Sequence, residues 1–432
     1  MDLLIRNARL RGFADPMCVA IRGGRLESVA RDIPADGRPA LDAEGCLTTA
    51  AFVEPHTHLD KALISDRMPP NESMSSEEAR RNLQAQKRRF TVPDVLERAG
   101  AALEWALTAG VTALRTHVDV DTHAGLRGLE GVLALRQKVS DLADIQIVAM
   151  PQHGIFSDPG TAELLEEALR MGADVVGGFP EEEFHEEAGR RHIDLVFGLA
   201  RRFGRPIDMH LDIRYSPQVR YLHYTAWKTL QEGLQGRVAA GHVSALPYYD
   251  PYDRSQVIEV VKRAGISIIT CPPTTMMLGA RLYPEPRGRG VTCVKEFLNA
   301  GVNIAFAQDN ILDPFNENFG DCDPLKNGFL TAYAAQLGGR SEMDTLYDMA
   351  TEKAAKVMAL PDYGLDPGCR ADLVITPVES TRDAFRVAPP RRYVIRRGAV
   401  IMDAEVRRRR AWEGRIPGRP VAAVPQPGSV VA

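Results

Sequence analysis

The sequence predicts an α/β fold in which eight parallel strands and their connecting helices form a (β/α)8 TIM barrel. Two observations predict it. The middle of the chain repeats a short apolar run followed by an amphipathic segment, as in parallel sheets with helical crossovers. In addition, His56 and His58 end the first of these runs, where alternate strand residues point the same way and suit a metal ion.

Short strand-like runs separated by turns mark both ends of the chain. They lie at 3–10, 18–21 and 26–29, and again at 371–375 and 393–401. Because the two sets have the same character, we expect residues 1–50 and 360–405 to form one small β-sandwich domain. The barrel would then occupy 51–359, and 406–432, rich in Pro, Gly, Val and Ala, is predicted to be a loosely ordered tail.

Eight strand candidates follow one another through the middle of the chain, at 48–53, 111–118, 145–150, 173–177, 206–211, 237–242, 267–271 and 302–307. Amphipathic segments lie between several of them, for example 161–171 with Leu164, Leu165 and Leu169 on one face. A doubly wound sheet uses similar units, but no Gly-x-Gly-x-x-Gly and no phosphate loop follows any strand. The barrel is therefore preferred.

Composition and charge limit the classes of partner. The 432 residues are 44% apolar and 25% charged, which is ordinary for a soluble globular protein. With 57 acidic and 53 basic residues, the net charge of -4 favours neither nucleic acid nor an anionic membrane, so we expect a small polar substrate. No signal peptide and no membrane-length apolar run is found, which predicts a cytoplasmic protein, and a homo-oligomer is expected.

Candidate metal ligands stand at the ends of the predicted strands, where the catalytic residues of such barrels collect. His210 ends the fifth strand, His242 ends the sixth and Asp309 follows the eighth. Together with the first histidine pair they offer nitrogen and oxygen donors without thiolate, which suits Zn²⁺ or Fe²⁺. Residues 175–180 of the fourth strand provide no bridging lysine or carboxylate, so one divalent ion is expected.

These residues resemble those of the amidohydrolase superfamily, and more closely those of its cytosine deaminase branch. Residues 115–120 and 172–177 also resemble stretches of that branch. The resemblance implies that His56, His58, His210 and Asp309 hold the ion and that His242 faces the activated water or the substrate oxygen. It also implies that Asp309 takes a proton from the water and passes it to the leaving nitrogen.

The residues expected to contact substrate match that branch only in part. Gln152 resembles its substrate-binding glutamine, whose amide can read a lactam edge. His117 ends the second strand and is expected either to face the substrate or to lie behind the ligands. Ile213 replaces a glutamate of the branch, while Asn310 and Phe315 replace an acid and a tryptophan; these changes resemble the N-alkyl aminotriazine hydrolases.

Asp212 lies two residues after His210 and would share its face on a regular strand. We hypothesise that Asp212 or His117 replaces the proton relay that Ile213 cannot provide. The alternative is a structural aspartate bonded to the barrel loops.

The sequence thus predicts a metal-dependent aminohydrolase that removes ammonia or an amine from a small N-heterocycle, in the manner of cytosine deaminases or aminotriazine hydrolases. Hydrolysis of a ring amide or urea-like bond and a metal-binding protein without turnover are the alternatives. The other zinc deaminase architecture is excluded because no Cys-x-x-Cys occurs.

The loop after the seventh strand contains three arginines, Arg281, Arg287 and Arg289. They either bind an acidic substituent of the substrate or are solvated charges.

Overall fold

The structure is a computed structural model that describes residues 2–218, 220–279 and 291–405. The predicted tail at 406–432 and the arginines at 281, 287 and 289 lie outside the described residues. Among the helices of the described ranges, none has the length and apolar character that crossing a bilayer requires.

Within these ranges the strands are β1 (Leu3–Ala8), β2 (Met17–Arg22), β3 (Arg25–Ala30), β4 (Ala40–Asp42), β5 (Leu47–Ala50), β6 (Phe52–Thr57), β7 (Val111–Asp119), β8 (Asp144–Met150), β9 (Val175–Gly178), β10 (Ile207–Leu211), β11 (Val238–His242), β12 (Ser267–Thr270), β13 (Ile304–Phe306), β14 (Leu373–Thr376), β15 (Tyr393–Arg396) and β16 (Ala399–Asp403). The α-helices are α1 (Ser76–Lys87), α2 (Val92–Thr108), α3 (Arg127–Lys138), α4 (Thr161–Met171), α5 (Glu186–Phe203), α6 (Tyr221–Gln231), α7 (Pro251–Ala264), α8 (Pro272–Leu278), α9 (Val294–Ala300), α10 (Pro324–Ala335), α11 (Arg340–Met349), α12 (Glu352–Val357) and α13 (Thr381–Val387). Short 3-10 helices lie at Leu59–Lys61, Ser65–Arg67, Pro180–Glu182 and Leu246–Tyr248.

Strands β6 to β13 form one parallel sheet in chain order. The sheet closes through a bridge between Thr57 and Asp309, where the Asp309 backbone N–H donates to the His56 carbonyl at 2.9 Å. Helices between the strands bury one apolar face each, as α2 does with Val95 and Leu103. The predicted (β/α)8 barrel is confirmed.

Two small sheets lie beside the barrel and combine the two ends of the chain. One has the order β3-β2-β1-β4 and the other has the order β16-β15-β14-β5. They share a hydrophobic cluster that includes Ile5 and Ile21 from the first sheet and Leu373 and Ile395 from the second. Small sheets built from both termini are therefore confirmed, while the domain boundaries at 50/51 and 359/360 stay a prediction.

The predicted first barrel strand, 48–53, is wrong in its bounds. The apolar run is divided at Ala51: β5 pairs antiparallel with β14 in a small sheet, and β6 pairs parallel with β7 in the barrel. Both pieces are buried, so hydrophobicity alone cannot show where the chain leaves one sheet for the other. The shift places His56 inside β6 and His58 just after it.

Candidate active site

A cavity of about 550 Å³ opens at the carboxyl ends of the barrel strands. Its wall includes His58, His210, His242 and Asp309 from four different strand ends. The segment from Ser73 to Arg80, which contains the first turns of α1, lines another side. A cavity at this end of the barrel is where such folds bind and transform ligands.

The predicted metal ligands meet at one point. His56, His58, His210 and Asp309 each place one possible ligand atom so that all four atoms lie within 4.8 Å of one another, and all four residues are buried. The two oxygens of the Asp309 carboxylate face different neighbours. Its Oδ1 lies 3.5 Å from His56 Nε2 and 3.1 Å from His58 Nε2, whereas Oδ2 faces His242 Nδ1 at 4.0 Å.

Two local features of the sequence hold this cluster. Glu54 accepts hydrogen bonds from the backbone N–H of His56 at 3.1 Å and of Gln308 at 3.0 Å, and so joins the first and eighth strands beneath the cluster. Burial raises the pKa of Glu54 to about 8. Gly241 leaves room for the imidazole ring of His56, because a Cβ at position 241 would lie only 3.0 Å from His56 Cε1.

The protonation states of the cluster suit a cation. Burial lowers the pKa of His58 to about 4, so its ring is neutral, and Nδ1 donates to the His117 carbonyl at 2.9 Å. His58 Nε2 therefore presents a lone pair to the Asp309 carboxylate. Burial raises the pKa of Asp309, but its close contacts with His56 and His58 outweigh that effect, so the pKa lies well below its usual range. Electron-rich atoms this close repel each other unless they share a cation, so the residues fit a divalent metal.

The backbone at the strand ends is unusual. Asp212, His242 and Asp309 have positive φ values of 51°, 70° and 68°, in the left-handed region that residues with a Cβ rarely adopt. These residues follow or end β10, β11 and β13, so the regular alternation of side chains stops there. For His242 and Asp309, the turn leaves the side chains in the cavity wall.

Lys61 is a buried cation in the cavity wall that sequence reasoning missed. Its Nζ donates to Asp119 Oδ1 and to Gln152 Oε1, both at 2.9 Å. The other oxygen of Asp119 lies 2.5 Å from Nζ of Lys87, which also donates to Asp121 at 2.6 Å. Lys61 comes directly after the histidine motif in an otherwise apolar stretch, and that position was the available signal.

Three residues predicted to contact substrate do line the cavity: Gln152, Asn310 and Phe315. Asn310 Nδ2 donates to Asp313 Oδ2 at 2.6 Å, and the Phe315 backbone N–H donates to Asp313 Oδ1 at 2.9 Å. Burial raises the pKa of Asp313 to about 7. The loop after β13 therefore fixes which side of the Asn310 amide is available to a ligand.

The structure does not place Asp212 or His117 in the cavity wall, so it does not support substrate contact by either residue and agrees instead with the alternatives of a structural aspartate and a histidine behind the ligands. Asp212 Oδ1 accepts from the backbone N–H of Tyr221 at 2.9 Å, and Oδ2 accepts from the Tyr249 hydroxyl at 3.2 Å. It binds the start of α6, because β10 ends at Leu211 and strand alternation no longer applies. His117 lies behind the ligands, with its ring centroid 4.0 Å from that of His56.

Several other residues of the cavity wall could not be predicted from the sequence. Phe179, after β9, packs its ring 5.4 Å from that of His210. The wall formed by Ser73, Ser75 and Arg80 comes from a long connection between β6 and α2, whose path depends on distant contacts. One of these joins Arg80 to Glu182 at 2.8 Å.

A closed (β/α)8 barrel with three histidines and an aspartate at one point, and a fourth histidine beside them, defines a metal-dependent hydrolase. Comparison with known proteins gives the same class. Residues 40–407 match the model of the Amidohydrolase family, and the chain belongs to that family.

Similar proteins cover nearly the whole chain. N-isopropylammelide isopropyl amidohydrolase of Pseudomonas sp. strain ADP is 28% identical over 94% of this chain and 98% of the relative. Pterin deaminase of Rhizobium rhizogenes is 29% identical over 89% and 87%. The crystal structure of 5-methylcytosine deaminase from Klebsiella pneumoniae is 35% identical, with a TM-score of 0.90 over 94% of this chain and 99% of that one. The chain is a hydrolase that acts on carbon–nitrogen bonds.

Proposed function

We propose that the protein is an aminohydrolase that cleaves an exocyclic carbon–nitrogen bond of a small, oxygen-bearing N-heterocycle, releasing ammonia or an alkylamine. The observation that carries the proposal is the cluster of His56, His58, His210 and Asp309 with His242 beside it in the cavity. The named relatives act on pyrimidine, triazine and pterin rings, which supports a ring of this kind.

His56, His58, His210 and Asp309 would hold one divalent ion, Zn²⁺ or Fe²⁺, since the donors are imidazole and carboxylate. Such an ion supplies a water nucleophile that is active near neutral pH. A single resident ion is supported by β9, whose residues Val175–Gly178 carry no bridging group. The first carboxylate beyond β9, Glu181, is bonded to the backbone N–H groups of Ile213 at 2.5 Å and Arg214 at 2.9 Å.

Asp309 and His242 would carry the proton transfers. Asp309 Oδ1 faces His56 and His58, which leaves Oδ2 to take a proton from the attacking water and deliver it to the leaving nitrogen. Burial lowers the pKa of His242 to about 3. A neutral His242 can donate from one ring nitrogen to the oxygen or nitrogen on which charge develops.

The hydrogen bonds of the cavity indicate which substrate edges it accepts. Lys61 donates to Gln152 Oε1, so Gln152 offers Nε2 as its remaining polar group. Both residues therefore present donors, which suit a carbonyl oxygen or an acceptor ring nitrogen. Asn310 offers Oδ1, because Nδ2 is bonded to Asp313, and so suits a ring N–H.

Ile213 favours rings whose chemistry needs no second proton shuttle. It lines the cavity where the cytosine deaminase branch has a glutamate, and its apolar side chain cannot transfer a proton. In a dioxo ring the carbonyl groups delocalise the negative charge that the attack places on the ring nitrogen, so the only proton required is the one that Asp309 would pass from the water to the leaving amine. We therefore expect ammelide-type rings to be better substrates than cytosine.

Metal analysis followed by an amine-release screen tests the proposal. The panel contains cytosine, 5-methylcytosine, isocytosine, creatinine, ammelide, N-alkylammelides and pterin, with Asp309→Asn as the inactive control. We expect one ion per chain and amine release from at least one oxo ring. Absence of release from every compound by the metal-loaded protein would contradict the proposal and favour hydrolysis of a ring amide.

A further inference from the structure

A second group of possible ligand atoms overlaps the first. His56, His242, Cys271 and Asp309 also place one ligand atom each within 4.8 Å of one another. Cys271 follows β12, is completely buried and is a free cysteine. Because the two groups share His56 and Asp309, a cation held by the second group would lie next to one held by the first.

His242 gives an independent indication of a ligand at the second position. The residue is 4% exposed, and neither Nδ1 nor Nε2 has a hydrogen-bond partner. Buried polar atoms are rarely left without one. The proposed reaction uses one nitrogen of this ring, and Nδ1 faces Asp309 Oδ2 across 4.0 Å. That gap between an imidazole and a carboxylate is open to a cation.

The thiol completes the donor set. Burial raises the pKa of the Cys271 thiol well above its ordinary value, and the hydrogen bond from the His242 backbone N–H to the sulfur offsets this only in part, so the thiol loses its proton only to a bound cation. Thiolate, imidazole and carboxylate together select borderline-soft cations. His56 stays with the resident ion, because a neutral imidazole offers a single lone pair.

We propose that a second, thiophilic divalent cation such as Zn²⁺ or Cd²⁺ binds between Cys271, His242 and Asp309 when more than one equivalent of divalent ion per chain is present. Binding forms a metal–sulfur bond and releases the thiol proton to solvent. Such a cation inhibits the enzyme, since it occupies the two groups that carry the proton transfers. The inhibition rests on the proposed function, whereas the binding does not.

Titration of the metal-free, full-length protein with Co²⁺ tests the binding without reference to activity. The first equivalent is expected to give ligand-field absorption alone, and the second is expected to add a near-ultraviolet thiolate-to-cobalt charge-transfer band. Equilibrium dialysis should find two ions per chain. In Cys271→Ser the band is lost, and affinity for the second ion falls at least about tenfold, the scale of losing even an outer ligand contact.

Cys46→Ser is the matched control, because Cys46 is also a buried free cysteine but lies in the cluster of the small sheets. It should retain the band and the second ion. A wild-type band that appears with the first equivalent, or no band at two equivalents, would overturn the proposal. If Cys271→Ser kept both the band and the affinity, the thiol would not be a ligand. Failure of the amine-release screen would leave these results unaffected.

Discussion

Asp309 is the residue on which the proposed chemistry depends most. Its two oxygens face different groups: Oδ1 faces His56 and His58, and Oδ2 faces His242. Asp309→Asn keeps the size of the side chain but removes its charge and its ability to take a proton. We expect kcat to fall by about 10³-fold or more, in the range of lost acid–base catalysis, together with weaker metal retention. Steady-state rates on the best substrate, with metal content measured in parallel, check this.

Asp212 gives the opposite expectation, although it lies only two residues from His210. Its carboxylate binds the first backbone N–H groups of α6 and stays out of the cavity. Asp212→Asn should lower the free energy of unfolding by about 1 kcal/mol, as a weakened helix cap does, and leave kcat unchanged. A large loss of kcat in a variant with normal metal content would instead support the hypothesis that Asp212 relays a proton.

Lys61 is expected to act on substrate binding. Lys61→Met removes the charged donor from the cavity wall, while Lys87 continues to pair with Asp119. Losing a hydrogen bond to a charged group costs about 1.5–3 kcal/mol, so KM should rise roughly 10- to 100-fold with a smaller change in kcat. Arg88→Met, at an exposed position just after α1, should change neither constant. Equal losses in kcat and kcat/KM would instead place Lys61 in the chemical step.

At the scale of elements, strand ends were predictable and the paths between them were not. The spacing of apolar runs located the carboxyl ends of β10, β11 and β13, and therefore His210, His242 and Asp309. The backbone turns that follow were not predictable, because a positive φ at Asp212 depends on tertiary contacts. For the same reason, periodicity could not separate β5 from β6 or bring α1 to the cavity.

Glu183 joins two such elements and is expected to stabilise the structure around Phe179. Its carboxylate accepts from the backbone N–H groups of Ile155 at 2.6 Å and Ser157 at 2.9 Å, and from His192 Nδ1 at 2.7 Å. Nε2 of His192 in turn accepts from the Phe179 N–H at 3.0 Å. Glu183→Gln should lower the free energy of unfolding by about 1–3 kcal/mol, measured by denaturant unfolding.

The pH dependence of this effect has a definite sign. Burial raises the pKa of Glu183, but the His192 hydrogen bond and backbone N–H groups outweigh it, and the pKa falls from 4.5 to about 2. A lowered carboxyl pKa stabilises the folded state above about 4.5, and this contribution is lost as the pH falls towards 2. The difference between wild type and Glu183→Gln should therefore shrink in acid. Glu187→Gln, at an exposed position in the first turn of α5, should show no such dependence.

For the whole molecule, the two ends of the barrel have separate roles, and Arg396 tests the separation. Arg396, in β15, is completely buried and donates to Asp372 at 2.5 Å and to Asp144 at 2.7 Å. Asp144 begins β8, so the cluster joins a small sheet to the barrel at the amino ends of its strands, opposite the cavity. In such barrels, residues at the amino ends of the strands contribute to stability, while residues at the carboxyl ends carry out the chemistry.

Arg396→Met should therefore destabilise the fold without changing catalysis. Breaking a buried ion pair costs about 3 kcal/mol, whereas Arg397→Met, at a half-exposed side chain, should cost less than about 1 kcal/mol. Burial raises the pKa of Asp144, but the hydrogen bond from Arg396 outweighs it, so the pKa lies below 3.8. The stabilisation is thus complete above that pH and is lost as acid protonates Asp144, and the two unfolding curves should converge there. Folded Arg396→Met should keep the wild-type kcat/KM; a loss beyond the folded fraction would show that the two ends are coupled.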